Sequence, residues 1–187
     1  MKYLKPGSKV PGLLKFIETS ANVAQGGGGF AHFNTEREAY RYMIDHSYVN
    51  GQWTREVVCV LVKNGVIVLP YNKNTTMGGT VSDYVVDGKV LGQKILAIGH
   101  THPQNGGLSD WQENIYGEDS GDMYISYKYG VKIYSIGPEF SHWGYSKGRN
   151  APIRPLDINH PLKPPIFIPT SDIFKVDNYF KTLFNFK

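Results

Sequence analysis

The sequence predicts a mixed α/β domain, a β-sheet flanked by helices. Three observations point there. Apolar, β-branched runs at residues 56–62, 66–69 and 94–99 have the near-continuous hydrophobicity of strands buried on both faces. An amphipathic helix with its own start signal precedes them. A second short helix and a further strand, 131–136, follow, so the two kinds of element are mixed along the chain.

Taken in order, residues 1–30 read as a flexible lead-in. They end in Gly26-Gly27-Gly28-Gly29, which is too free in conformation to form an element interior. Thr35 and Glu38 have capping-box spacing, and Ala39, Tyr42, Met43 and His46 continue at helical period until Asn50-Gly51. The strand at 56–62 turns at Asn64-Gly65 and returns over 66–69. Residues 80–86 read as another strand, ended by Asp87-Gly88. The run 94–99 is a buried strand leading into His100-Thr101-His102-Pro103. A loop with one helical turn is expected over 110–116. Residues 123–129 suit either a strand or a short helix; Asp119-Ser120-Gly121-Asp122 favours a helix start and Gly130 its end, so the helix is preferred.

From Ala151 the composition changes. Six of the 11 prolines fall between Pro152 and Pro169, so this stretch is extended and wraps or links. Thr170 or Ser171 then caps a last amphipathic helix with Ile173, Val176, Phe180 and Leu183 on one face, expected to dock on the main domain. The organisation is therefore a lead-in (1–30), one α/β domain (31–150) and a Pro-rich wrap with a terminal helix (151–187).

Composition narrows the function classes. At 41% hydrophobic and 19% charged, the 187 residues can build a sizeable core. The net charge of +4 is mild and the basic residues are scattered, so nucleic acid is not an expected partner. Cys59 is the only cysteine, which excludes an intrachain disulfide and any cysteine-based zinc finger. Set mid-strand among valines, it reads as a small buried apolar residue. No run approaches the roughly 20 apolar residues of a membrane span. Met1 to Leu14 has no continuous apolar core, so no cleavable signal peptide is read there. That leaves a cytoplasmic protein or an effector secreted by another route.

The chemistry gathers at His100-Thr101-His102-Pro103. Two histidines one residue apart, at the end of a buried strand, can turn toward one point, and neutral imidazole suits zinc, iron or copper. Carboxylates follow at Asp110, Glu113, Glu118, Asp119 and Asp122, enough for the ligand set of an open catalytic zinc site. Other patterns fail. Gln104 and Asn105 stand where a His-x-His-x-Asp-His site needs Asp and His. Gly106 stands where a cupin needs glutamate. His-Glu-x-x-His is absent, and the zinc deaminase signature needs cysteines this chain lacks. The spacing of Glu118, Asp119 and Asp122 is not that of a calcium loop. His32, His46, His142 and His160 have no comparable company and read as structural.

What remains resembles the JAMM/MPN metallopeptidase family, and within it the JAB-like peptidase domains of bacterial polymorphic toxins. The family's pattern is a glutamate at a strand start, then His-[Ser/Thr]-His-Pro, a loop, and Ser-x-x-Asp opening a helix. Glu56-Val57-Val58-Cys59-Val60-Leu61 is similar to the glutamate-bearing strand, with Cys59 where glycine is usual. His100-Thr101-His102-Pro103 matches in full. The resemblance covers about residues 35–138 and departs at one place: three residues after Ser109 stands Gln112, not aspartate. Asp122, Asp110 and Glu113 are the three candidates for the third ligand, with Asp122 favoured because a helix and a strand follow it. The resemblance implies a three-layer fold akin to that of cytidine deaminases. It also implies Zn2+ held by His100, His102 and Asp122, with Glu56 as general base. Ser109 or Ser120 would support the oxyanion, and a protein or peptide would be the substrate, with an immunity or partner protein alongside. Two rivals stay open: a metal-free MPN-like scaffold that binds protein partners, and a metal hydrolase acting on a non-peptide bond.

Overall fold

The computed structural model describes residues 13–17, 28–49, 52–71, 81–102, 107–136 and 141–155. Strands β1 (Leu13–Ile17) and β2 (Phe30–Phe33) come first, then helix α1 (Glu36–Ser47) and a short ribbon of β3 (Tyr48–Val49) and β4 (Gln52–Trp53). The hairpin β5 (Val58–Val62) and β6 (Gly65–Val68) follows, then the ribbon β7 (Lys89–Val90) and β8 (Gln93–Lys94), and strand β9 (Ala97–Thr101). A third ribbon, β10 (Gln112–Glu113) with β11 (Asp119–Ser120), leads into helix α2 (Asp122–Tyr129). Strands β12 (Lys132–Ile136), β13 (Ser141–Gly144) and β14 (Ile153–Pro155) close the described chain.

Eight of the strands form one sheet in the order β1-β2-β6-β5-β9-β12-β13-β14. All neighbours are antiparallel except β9 and β12, which are parallel with α2 in the crossover between them. The fold is mixed α/β, with a strand-rich sheet and one helix packed on each face. Residue parity along the strands sorts the core. Val57, Cys59, Val66, Val68, Ala31 and Phe33 pack with Ala39, Tyr42 and Met43 of α1. Val58, Val60, Val62, Ile67, Ile98 and Ile133 pack with Met123 of α2 and with Leu108. Burying one such side chain is worth about 1.5–3 kcal/mol. This two-sided burial is what the near-continuous apolarity of 56–62 predicts.

The helices begin and end where their signals lie. The Thr35 hydroxyl donates to Glu38 Oε2 (2.6 Å) and accepts the Glu38 N–H (3.4 Å) at the start of α1. Gly130 closes α2 in the left-handed conformation, with φ 63°.

Four expectations shift. Residues 81–84 form a single 3-10 turn, not a strand; Ser82 and Asp83 favour local turns, and Val81 is held in the core while Tyr84 packs edge-on against Phe30 (centroids 5.3 Å apart). The helical turn expected over 110–116 is the ribbon β10–β11. Asn114 Oδ1 accepts the N–H groups of Tyr116 and Glu118 (both 2.9 Å), which bends the chain back on itself. The strand read at 94–99 runs instead over Ala97–Thr101, so His100 lies within it. Inside the lead-in, Leu13–Ile17 is a strand paired with β2, and the sheet also extends past residue 150 through β14. The predicted terminal helix lies outside the described residues.

Candidate metal centre

The site grows from the β5–β9 ladder. Val58 pairs with His100, and the Thr101 N–H donates to the Val57 carbonyl (3.0 Å), so the antiparallel register continues beyond the end of β5. One further step sets Glu56 opposite His102. Side chains alternate along β9, so Ile98, His100 and His102 share the α2 face while Gly99 and Thr101 face α1. Glu56 Oε1 accordingly lies 3.5 Å from His102 Nε2, both side chains about a fifth exposed. His100 is deeper, at 5% exposure, and its Nε2 lies 3.7 Å from Asp122 Oδ1. The two imidazoles stand 5.8 Å apart, centroid to centroid.

Asp122 is delivered by α2 and fixed by Ser109. Gly121, at the helix N-cap, offers no side chain for capping. Ser109, thirteen residues upstream, supplies what is missing. Its Oγ accepts the Asp122 N–H (2.8 Å) and donates to Asp122 Oδ2 (2.9 Å), while its own N–H donates to the same oxygen (2.8 Å). Oδ2 is thereby occupied and Oδ1 turns to His100. The helix dipole adds to the preference for a carboxylate here. Gly121 has φ 94°, and a Cβ there would strike the Asp110 carbonyl, so only glycine lets the two segments approach.

Thr101, between the histidines, is locked on the other face. Its Oγ1 accepts the Val57 N–H (2.9 Å) and shares a 2.5 Å hydrogen bond with Ser47 Oγ at the end of α1. Both hydroxyls are fully buried. The histidine strand is thus pinned from behind, which limits how far His100 and His102 can drift.

Zinc bonds of about 2.0–2.1 Å at tetrahedral angles put two ligand atoms roughly 3.4 Å apart. His100 Nε2 and Asp122 Oδ1 are near that spacing. His102 is turned to Glu56, and among the described residues no group of three or more His, Cys, Asp or Glu side chains converges as a metal-holding set. The donors therefore fit zinc in kind, two imidazoles and a carboxylate, and two of the three fit it in placement.

The other candidates lie elsewhere. Asp110 is exposed. Glu113 is bound by Arg149 (2.7 Å), and Asp119 by Arg149 (2.9 Å) and Trp111 Nε1 (2.6 Å). Ser120 is exposed in β11, and Ser109 is committed to Asp122. Cys59 is buried, and burial pushes its thiol up to about 12, as suits a small core residue.

Ser135 escaped the sequence reading, and His142 was read only as structural. Ser135 of β12 pairs with His100, and His142 of β13 pairs with Ser135, so the three share one row on the α2 face. The His142 ring packs on Gly107, where a Cβ would stand 2.7 Å from Nδ1. Burial lowers the His142 pKa, and the nearby His102 lowers it further. No spacing motif carries this signal; it arises from a register between strands.

Comparison with protein families, curated proteins and solved structures gave no match. Among the described residues no helix is long and apolar enough to cross a membrane.

Proposed function

We propose that this chain is a zinc-dependent hydrolase of JAMM type that cuts a peptide or isopeptide bond. His100, His102 and Asp122 would hold the metal and Glu56 would act as general base. The observation that carries the reading is the pair of His–carboxylate approaches side by side on one sheet face, His100–Asp122 and His102–Glu56. A bound zinc would polarise the scissile carbonyl and lower the pKa of an attacking water to about 7. Glu56 takes that water's proton and returns it to the leaving nitrogen. His100 is shielded from bulk solvent, while the partly exposed His102 and Glu56 mark the side on which a substrate enters. Ser109 orients Asp122. A protein or peptide substrate, an immunity protein as partner, and a setting as a cytoplasmic or secreted toxin-like effector belong to the same proposal, on the strength of the sequence resemblance.

Metal analysis with one variant tests it. Purified protein should carry about one zinc per chain. Glu56→Gln should keep the zinc and lose hydrolysis of peptide and isopeptide substrates. Protein that stays metal-free at saturating zinc defeats the reading in favour of a scaffold. Cleavage confined to esters or other non-peptide bonds moves it to a different hydrolase class.

A further inference from the structure

Strand β13 carries none of the three proposed ligands, yet both segments that build the Ser109–Asp122 clamp rest on it. His142 and Gly144 share the α2 face of the strand, one on either side of Trp143. The His142 ring lies under Gly107. A Cβ on that glycine would stand 2.7 Å from Nδ1 and 2.9 Å from Cε1, closer than packed atoms come. Gly144 lies under Leu108 and Met123. A Cβ there would strike Met123 Sδ and stand 3.3 Å from Leu108 Cδ1. Leu108 and Met123 are buried in the same core cluster.

These contacts sit one or two residues from the clamp. Ser109 follows Leu108 directly and Gly107 by two positions, and Asp122 immediately precedes Met123. The Met123 N–H donates to the Ser109 carbonyl (3.2 Å), so the two segments also hold each other. A close-packed interior transmits small shifts, because it has no spare volume to absorb them. Lifting Gly107 off the ring would therefore carry Ser109 with it. Asp122 would lose the two bonds that occupy Oδ2 and leave Oδ1 facing His100. The Nδ1 atom of His142 is enclosed while the residue as a whole is half exposed, so the edge under Gly107 is the inner edge of the ring.

We propose that His142 is a positioning residue of the metal centre: its ring is the seat for Gly107 that sets Ser109 against Asp122. The role belongs to the shape of a flat ring, not to its nitrogens. Gly107 is the matching part, since a side chain there would need the space the ring occupies. The inference rests on the metal-centre reading for its purpose, but the seat itself requires no metal.

The experiment compares the full chain with His142→Ala, His142→Phe, Gly107→Ala and the double variant Gly107→Ala/His142→Ala. Amide hydrogen exchange at Ser109 and Asp122 in the zinc-free protein reports the clamp, since both N–H groups donate within it. Competition with a chromophoric chelator reports zinc affinity. His142→Ala and Gly107→Ala should each speed exchange at the two amides about 5–10-fold, as the loss of one hydrogen bond would. Each should also weaken zinc binding about 10–100-fold. Amides of β5 should exchange as in the parent. His142→Phe, which keeps a flat ring, should match the parent in both measurements. The double variant gives the new methyl the room the ring had, so it should recover part of the Gly107→Ala loss. Unchanged exchange at Ser109 and Asp122 in His142→Ala overturns the proposal, and so does an equal rise across β5, which marks a general loss of stability. If His142→Phe behaves as His142→Ala, a ring nitrogen is what the site needs and the seat is wrong. If the parent binds no zinc while exchange at the clamp still follows His142, the hydrolase reading falls and the seat stands.

Discussion

On the α1 face of β9, Thr101 makes short buried bonds to Ser47 and to the Val57 N–H. On the α2 face, one residue to either side, His100 and His102 approach carboxylates at 3.7 and 3.5 Å, beyond a good hydrogen bond. The same three-residue stretch is thus tight behind and loose in front. A β-strand allows this because neighbouring side chains point to opposite sides. The rear face fixes the backbone at the cost of no chemistry, and the front face brings each imidazole near a carboxylate. The histidines follow the same division. Burial drives the His46 pKa down to about 4, although its ring nitrogen bonds the Tyr42 carbonyl (2.6 Å). His46 is a neutral, partly buried residue on the α1 side, its ring against Tyr42 and Tyr71.

The strongest test of this contrast removes a front-face donor. His100→Ala or Asp122→Ala should abolish stoichiometric zinc binding, read by metal analysis, while circular dichroism stays that of the parent. If Asp110→Ala or Glu113→Ala does so instead, the wrong carboxylate has been assigned.

His46 gives the next largest effect. Its pKa is near 4 folded and 6.5 unfolded, so between those values the unfolded chain binds the extra proton. The associated stability is present above about pH 6.5 and drains away as pH falls toward 4, by at most about 3 kcal/mol. The melting temperature of His46→Phe should depend less on pH than the parent's across that window; parallel curves would show that His46 is not held neutral.

Thr101→Val breaks the rear lock and strands the Ser47 hydroxyl. It should cost about 1–3 kcal/mol, or about 2–4 °C of melting temperature per kcal/mol, with zinc still bound. Should zinc be lost while stability is kept, the two faces do not divide the labour as described. Ser109→Ala leaves one backbone bond to Asp122 and frees its Oδ2 from the hydroxyl. A loss of about 1 kcal/mol and weaker zinc binding should follow, measured by thermal melting and chelator competition. Arg149→Ala is the smallest. It removes an exposed clamp on Glu113 and Asp119 and should leave both zinc content and melting unchanged.

Hydrophobic period and capping residues were enough to read α1, β5, β6 and α2, since these are local signals backed by burial. Residues 81–84 misled because valine and tyrosine suit a strand as well as a buried turn, and Ser82-Asp83 decided it. The ribbon β10–β11 was illegible because its turn, closed by the Asn114 side chain and by Gly117 at φ 78°, joins two strands of only two polar residues each, with no alternating apolar pattern to announce them. His100-Thr101-His102 was visible because a strand presents alternate residues to one side whatever surrounds it.

The sequence by itself determined which residues are apolar in period, where the helices start and stop, and that two histidines share one side of a strand. Only the tertiary structure decided which carboxylate lies near each, Asp122 by His100 and Glu56 by His102. It also placed Ser109 on Asp122 and aligned Ser135 and His142 with His100. Those choices depend on register between strands far apart in the chain and on a helix packed across them. Chain order does not encode such distances; they are set when the two hydrophobic faces close over the sheet.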